Sequence, residues 1–412
     1  MTAFRFRCTE CAREYPEERG RLVCAACAAL QEPGGATRGV LEVELDALPL
    51  AWPPSRPSDP DFLAAFLPFE DPAALARLEV GGTPLLPVPG LRESLGLPRL
   101  WVKDDTRNPS GSTKDRASLL VVAKAREYGL GTVATASTGN AAAALAAVGA
   151  AAAVETIVFV PASAPEAKLI QVLCCGAEVV VVEGSYDEAF ELCRTACETF
   201  GWYNRNTALN PFTIEGKKTA ALEIAAAMSP EAPDVVLVPT GDGAILAGVA
   251  KGFLDLQRAG LLARPPRLVA VQPEGSAALV TAFRAGANEV TPHRGAASVA
   301  DSLTVESPRN ALLCLRRIRE SGGGAVAVSD DAILEAIPAL ARLTGVFAEP
   351  AGAAALAGLH AALREGLVGR DERIVLLVTG SGLKDIPAAG QAVRLPRAIP
   401  PTLEAVRGRL AL

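Results

Sequence analysis

From about residue 81 to residue 390 the chain alternates short β-rich apolar runs with helical patterns, and this alternation limits the fold more than any other feature. The runs are Leu100–Val102, Val133–Thr135, Thr156–Val160, Glu178–Val182, Val235–Val238, Leu268–Val271 and Ile374–Leu377. Between them lie helical patterns such as Ser185–Thr199 and Asp330–Leu343. Strand and helix in alternation predict α/β architecture with largely parallel sheets, because parallel neighbours need a crossover connection. No repeat with a solenoid-like period is visible. Residues 46–80 are rich in Pro and Asp and read as a linker wrapping the main domain, with a short helix near Pro72–Leu78. The tail from Arg394 onward is basic and reads as peripheral.

Half of the residues are hydrophobic and 21% are charged, which suits a large core shared by two or three domains. The net charge is -6 and the basic residues are scattered, so no nucleic-acid partner is expected. The longest apolar run, Ala141–Val154, falls short of the roughly 20 residues a bilayer requires. The start of the chain lacks a basic-then-apolar signal pattern, so a cytoplasmic protein without a membrane partner is expected. The two histidines, His293 and His360, stand in no metal or triad spacing, which argues against histidine-based hydrolysis.

Nine cysteines in a cytosolic chain read as thiols or metal ligands rather than disulfides. Cys8-Thr-Glu-Cys11 and Cys24-Ala-Ala-Cys27 form two C-x₂-C knuckles within residues 1–45. Four thiolates at such spacing can close a tetrahedral zinc site with no open position, so the metal would be structural. The glycine that often follows each knuckle is replaced by Ala12 and Ala28. Two readings therefore stand: a zinc-ribbon-like module, or a relic that no longer holds metal.

Asn108-Pro-Ser-Gly-Ser-Thr-Lys114-Asp-Arg116 sets a lysine at the start of an apolar helix. The macrodipole makes that position unfavourable for a cation. Taken alone it is a solvated surface lysine. An amine held at such a place can also form a Schiff base with an aldehyde cofactor. Further along, Val235–Val238 runs into Pro-Thr-Gly241-Asp242-Gly243-Ala244, a strand, a glycine turn and a helix start. Backbone amides at such a turn bind phosphate. The spacing is neither that of a dinucleotide fingerprint nor that of a Walker loop.

Read together with Ala136-Ser137-Thr138-Gly139-Asn140, these segments resemble the pyridoxal-phosphate enzymes of fold type II, the tryptophan synthase β-subunit class, and most closely the threonine synthase family. Asn210-Pro-Phe-Thr-Ile-Glu-Gly-Lys-Lys-Thr219, Glu349-Pro-Ala-Gly-Ala-Ala354 and Ile374-Val-Leu-Leu-Val-Thr379-Gly-Ser-Gly are similar to further family motifs, in the same order. The resemblance covers about residues 80–390. It implies two parallel-sheet α/β domains over 81–395, the smaller at about 116–205 inserted in the larger, behind a module of the zinc-ribbon kind that also occurs in some threonine synthases. It implies pyridoxal 5'-phosphate bound to Lys114, with Asn140 at its 3-hydroxyl, Gly241, Asp242, Gly243 and Ala244 at its phosphate and Thr379 at its ring nitrogen. Ser137, Thr138 and Gly139 would take the carboxylate of a small amino-acid substrate. A homodimer is the assembly left open.

The chain departs from the family where a substrate phosphate would sit. Ala141 and Thr207-Ala208 replace hydroxyl-bearing or amide-bearing residues, and Thr213 stands where an arginine is expected. An arginine on phosphate is among the stronger polar contacts. Lys217, Lys218 and Arg116 are the cations nearest in sequence that could compensate. Asp242 beside a phosphate would be repulsive unless its side chain points away. The expected activity is conversion of O-phosphohomoserine to threonine and phosphate. Phosphate-independent β-elimination or β-replacement on serine or threonine is the alternative, and a non-catalytic binding protein is the rival from another class.

Overall fold

The computed structural model of the chain describes residues 4–411, apart from Pro33, Ala76 and Pro165. Three sheets organise it. The largest runs, in spatial order, Gly324–Val328, Arg267–Pro273, Val235–Pro239, Ile374–Val378, Leu100–Asp104 and Leu85–Leu86. Its pairings are parallel except for the short outer strand Leu85–Leu86, which runs antiparallel to Leu100–Asp104. A second sheet, wholly parallel, runs Glu178–Val182, Glu155–Pro161, Thr132–Ala136, Tyr203–Asn204. The fold is therefore α/β with one mixed and one parallel sheet.

The central strands show why the alternation was informative. Val235–Pro239 and Ile374–Val378 are buried along their whole length, as strands covered by helices on both faces must be. One face packs against the helix Pro350–Arg364 and the other against Ala244–Arg258. Each expected strand is present, extended by one or two residues in most cases. Gly324–Val328 was not anticipated: its Gly-Ala-Val-Ala-Val composition has weak strand propensity, and burial between neighbouring elements overrides that.

The third sheet, Glu14–Pro16, Phe4–Cys8 and Leu41–Leu45, is antiparallel and belongs to the cysteine-bearing N-terminal segment. Phe4 and Phe6 meet Phe212 edge-to-face at 5.8 and 5.6 Å, which ties this segment to the short helix Phe212–Lys217. The linker differs from expectation. Its helix lies at Pro60–Phe66, where Phe62 and Phe66 pack with Trp52 into the main core. Near Pro72 the described residues form the 3₁₀ turn Pro72–Ala74, and the expected piece Pro72–Leu78 includes Ala76, which lies outside the described residues. The tail carries an exposed helix at Leu403–Leu410 with no buried residue. Among the described residues no helix is long and apolar enough to cross a membrane.

Candidate active site

In open parallel sheets, ligand-binding loops leave the carboxyl ends of the strands. Four of the segments singled out above do so. The Lys114 loop follows Leu100–Asp104, and Ser137–Asn140 follows Thr132–Ala136. Gly241–Ala244 follows Val235–Pro239, and Thr379–Ser381 follows Ile374–Val378. Backbone hydrogen bonds join two of them and bring in the Glu349 segment. The Thr113 amide donates to the Thr379 carbonyl at 2.8 Å and the Ser381 amide to the Gly111 carbonyl at 2.9 Å. The Glu349 amide donates to the Gly380 carbonyl at 3.0 Å. The turn after the strand Ile374–Val378 thus holds the Lys114 loop on one side and the Glu349 segment on the other.

Lys114 opens the helix Lys114–Glu127 and is half-buried. Loss of hydration lowers its amine from the ordinary 10.5 to about 8, while Glu349 and Asp242 oppose the shift and Arg205 adds to it. A lysine near neutrality carries a usable fraction of free amine, the form that attacks an aldehyde. Asn140 begins the helix Asn140–Ala152, and its amide nitrogen donates to both carboxylate oxygens of Glu349, at 2.9 and 3.1 Å. Burial raises the Glu349 carboxyl, and the Asn140 bond partly offsets this. Ser137 and Thr138 form the half-buried loop before Gly139, with the Ser137 hydroxyl accepting from the Gly139 amide at 3.2 Å. Because Glu349 supports the Lys114 ammonium, Glu349→Gln should move the pH midpoint of cofactor attachment below about 8. Attachment rates measured against pH on cofactor-free protein test this; an unchanged or higher midpoint contradicts it.

The glycine turn fits a phosphate. Gly243 sits at φ +90°, and a Cβ there would lie 2.7 Å from that of Cys314, so the backbone stays bare at the start of the helix Ala244–Arg258. The Asp242 carboxylate accepts from the Arg309 amide at 3.2 Å, which ties it to the adjoining segment. Next to it, the Asn310 amide donates to the Asp242 carbonyl at 2.9 Å. Asn310 is buried with both side-chain polar atoms unpartnered, and buried carboxamides are normally satisfied. A phosphate at the turn would give it an acceptor. Glu349 as the partner of Asn140, and Asn310, were missed in the sequence. The signals for the first were a Glu-Pro pair at a helix start and the family-like motif Glu349–Ala354 that it opens.

Two of the three compensating cations are engaged elsewhere. Arg116 donates to Asp105 at 2.7 and 2.8 Å and to Glu223, and Lys218 is held by Glu215 and, at 2.8 Å, by Asp255. Neither is free for a ligand. Thr213 is buried, its hydroxyl donating to the Asn210 carbonyl at 2.8 Å.

Away from this site, the sulfurs of Cys8, Cys11, Cys24 and Cys27 all lie within 4.8 Å of one another. Such a cluster can chelate a metal ion. Ala12 takes φ +59°, the left-handed conformation that the usual glycine adopts without strain.

A family model described as "Pyridoxal-phosphate dependent enzyme" matches residues 76–380. A threonine synthase from Methanosarcina acetivorans is 35% identical over 410 residues, spanning 98% of each chain. One from Methanocaldococcus jannaschii is 39% identical over 80% of this chain and 82% of its own. Among solved structures, threonine deaminase isoform 2 from Solanum lycopersicum superposes with a TM-score of 0.66 over 84% of this chain and 98% of its own, at 24% identity. Maize serine racemase gives a TM-score of 0.65 over 75% and 91%, also at 24% identity; at that level both likenesses speak for the fold alone. The chain belongs to the fold-type-II pyridoxal-phosphate-dependent enzymes and is closely related to bacterial and archaeal threonine synthases.

Proposed function

We propose that the protein is a lyase that converts O-phosphohomoserine to threonine and phosphate. The observation that carries this reading is the Lys114 amine, lowered to about 8 within electrostatic reach of Glu349, the carboxylate that Asn140 bonds. The 35% identity to a threonine synthase over 98% of the chain supports the substrate. When bound, pyridoxal phosphate supplies an aldehyde for condensation and an electron sink at the substrate α-carbon. Lys114 would carry it and, once released by the substrate amine, move protons at the α and β carbons. Ser137, Thr138 and Gly139 would orient the substrate carboxylate. Asn140, held by Glu349, would orient the ring through its 3-hydroxyl. Gly241–Ala244 with Asn310 would hold the cofactor phosphate, with Thr379 at the ring nitrogen. A hydroxyl there need not protonate the nitrogen, which tempers the electron sink relative to a partner carboxylate.

The second reading is elimination or β-replacement on serine or threonine without a phosphate leaving group. It is favoured by Ala141, Ala208 and the engaged hydroxyl of Thr213. An assay panel of O-phosphohomoserine, phosphoserine, serine and threonine separates the two. Release of phosphate with threonine formation is expected from the first substrate. Ammonia release from serine or threonine alone would replace that reaction with the second reading.

We further propose structural zinc in the four-cysteine cluster, in a protein of the cytosol. The adjoining Phe4 and Phe6 rest on Phe212, and the Thr37 amide donates to the Arg309 carbonyl at 2.8 Å. Chelation, or Cys8→Ser with Cys11→Ser, should therefore raise amide hydrogen exchange in Phe212–Lys217 and near Arg309, with about one zinc per chain released. Unchanged exchange on loss of zinc would mean the module does not brace the site. Protein purified without chelator that contains no metal would favour the relic reading.

A further inference from the structure

Folded proteins rarely bury a cation without a partner, because removing a charge from water costs several kcal/mol unless an opposite charge or hydrogen bonds offset it. Two cations beside the candidate active site are short of such partners. Lys217, 1% exposed at the end of the helix Phe212–Lys217, has no hydrogen-bond partner for its Nζ among the described residues. Arg205 is 0% exposed and follows the strand Tyr203–Asn204. Its Nε donates to the Ser118 hydroxyl at 3.2 Å and one Nη to the Thr207 hydroxyl at 3.1 Å, while the other Nη has no partner. Arg205 therefore has no carboxylate among its hydrogen-bond partners.

The two belong to one place. Lys217 lies within electrostatic reach of Arg205, Lys114 and Asp242, and Lys114 within reach of Arg205. The helix bearing Lys217 packs tightly on the helix that begins at the glycine turn, since a Cβ at Gly248 would stand 2.6 Å from the Lys217 Cβ. The contrast with Lys218 is informative. That neighbour is also fully buried, yet it is matched by Glu215 and Asp255. Burial lowers the Lys217 amine well below its ordinary value, and the charges of Arg205 and Lys114 lower it further. Among the described residues no hydrogen-bond partner accounts for keeping such a group, whereas an incoming anion would.

We propose that Lys217 and the unpartnered edge of Arg205 form the subsite for the phosphate on the substrate side chain, taking over from the arginine that position 213 lacks. The inference rests on the O-phosphohomoserine reading and deepens it. A dianion would favour the protonated form of the lowered Lys217 amine, and the guanidinium and the ammonium so formed would both give it charge-assisted hydrogen bonds. The cofactor phosphate has its own cradle at Gly241–Ala244, so the pair is left for a second anion.

The test uses the holoenzyme and the phosphonate in which a methylene replaces the ester oxygen of O-phosphohomoserine, with homoserine as the uncharged comparison. Lys217→Met and Arg205→Gln should each weaken phosphonate binding at least about tenfold, with homoserine binding within about twofold of wild type. Lys217→Met should melt no lower than wild type, since it replaces an unmatched buried amine with an apolar side chain of similar length. Inorganic phosphate should compete with the phosphonate and not with homoserine. Unchanged phosphonate affinity, equal weakening of both ligands, or a lowered melting temperature for Lys217→Met overturns the proposal. Loss of bound pyridoxal phosphate from the variants also overturns it, by assigning the pair to the cofactor. If the wild type releases no phosphate from O-phosphohomoserine yet binds the phosphonate in a Lys217-dependent way, the reaction is wrong and the subsite stands. If turnover occurs and Lys217→Met binds as well as wild type, the reaction stands and the subsite fails.

Discussion

Lys114→Ala is expected to abolish covalent attachment of the cofactor and to lower turnover at least about 10²–10⁴-fold, the range that a positioned proton-transfer group supplies. Borohydride reduction followed by peptide mapping should label the Lys114 peptide in wild type and none in the variant; a label on another lysine would move the assignment. The fold should not suffer. Alanine is the best helix former, and a cation at a helix start opposes the macrodipole. Stability against pH provides an independent check on cofactor-free protein. The folded-state amine titrates at about 8 and the unfolded one near 10.5. Between those values the unfolded chain binds more protons, so wild-type stability contributed by this group rises with pH across that window. Below it, the full penalty of the buried charge remains. The alanine variant should lack this rising limb and match or exceed wild type at neutral pH.

How much of this was legible in the sequence depended on the range of the interaction that decides each feature. Strands such as Ile374–Val378 are written locally, as unbroken β-branched and aliphatic runs, because both of their faces are covered. Phe4–Cys8 is also written locally, in its buried-exposed alternation, but it runs into the first cysteine knuckle, whose metal-ligand spacing is the stronger local signal. The helix Pro60–Phe66 was hidden by surrounding prolines, although Pro60 stands at the first turn, where proline is tolerated. The charges of the candidate site were the least legible. Lys217 and Lys218 are neighbours in an apparently uniform basic pair, yet one is unpartnered and the other is matched by Asp255. Both pack on the helix Ala244–Arg258, and the difference is set by what each meets there, Gly248 for Lys217 and Asp255 for Lys218, a contact that no local pattern encodes. Arg205 and Asn310 went unremarked for the same reason: an isolated Arg or Asn is unremarkable until its burial and lack of partners are known.

Arg116→Met is expected to destabilise the protein by about 3–5 kcal/mol, the range for removing one partner from a buried ion-pair network. Arg116 stands in the first turn of the Lys114 helix, fully buried. It binds Asp105 through two nitrogens and reaches Glu223 on the helix Thr219–Met228, while Lys103 bonds Glu223 at 2.6 Å. Burial alone would push the Asp105 carboxyl up; the Arg116 guanidinium overrides it and holds the group at about 2. In wild type Asp105 therefore contributes stability that is present above 3.8 and lost as pH falls toward about 2. Methionine reverses the sign. Without the guanidinium, burial raises the folded-state value above the unfolded one, and the folded chain then binds the extra proton. The deficit of Arg116→Met relative to wild type should accordingly shrink as pH is lowered from 7 towards 5, as the stranded carboxylate is neutralised. Denaturant unfolding of both proteins at several pH values tests the point. A deficit that is constant with pH would show that the loss comes from packing around the long side chain, and that the Asp105–Arg116–Glu223 cluster does not anchor the start of the Lys114 helix through charge.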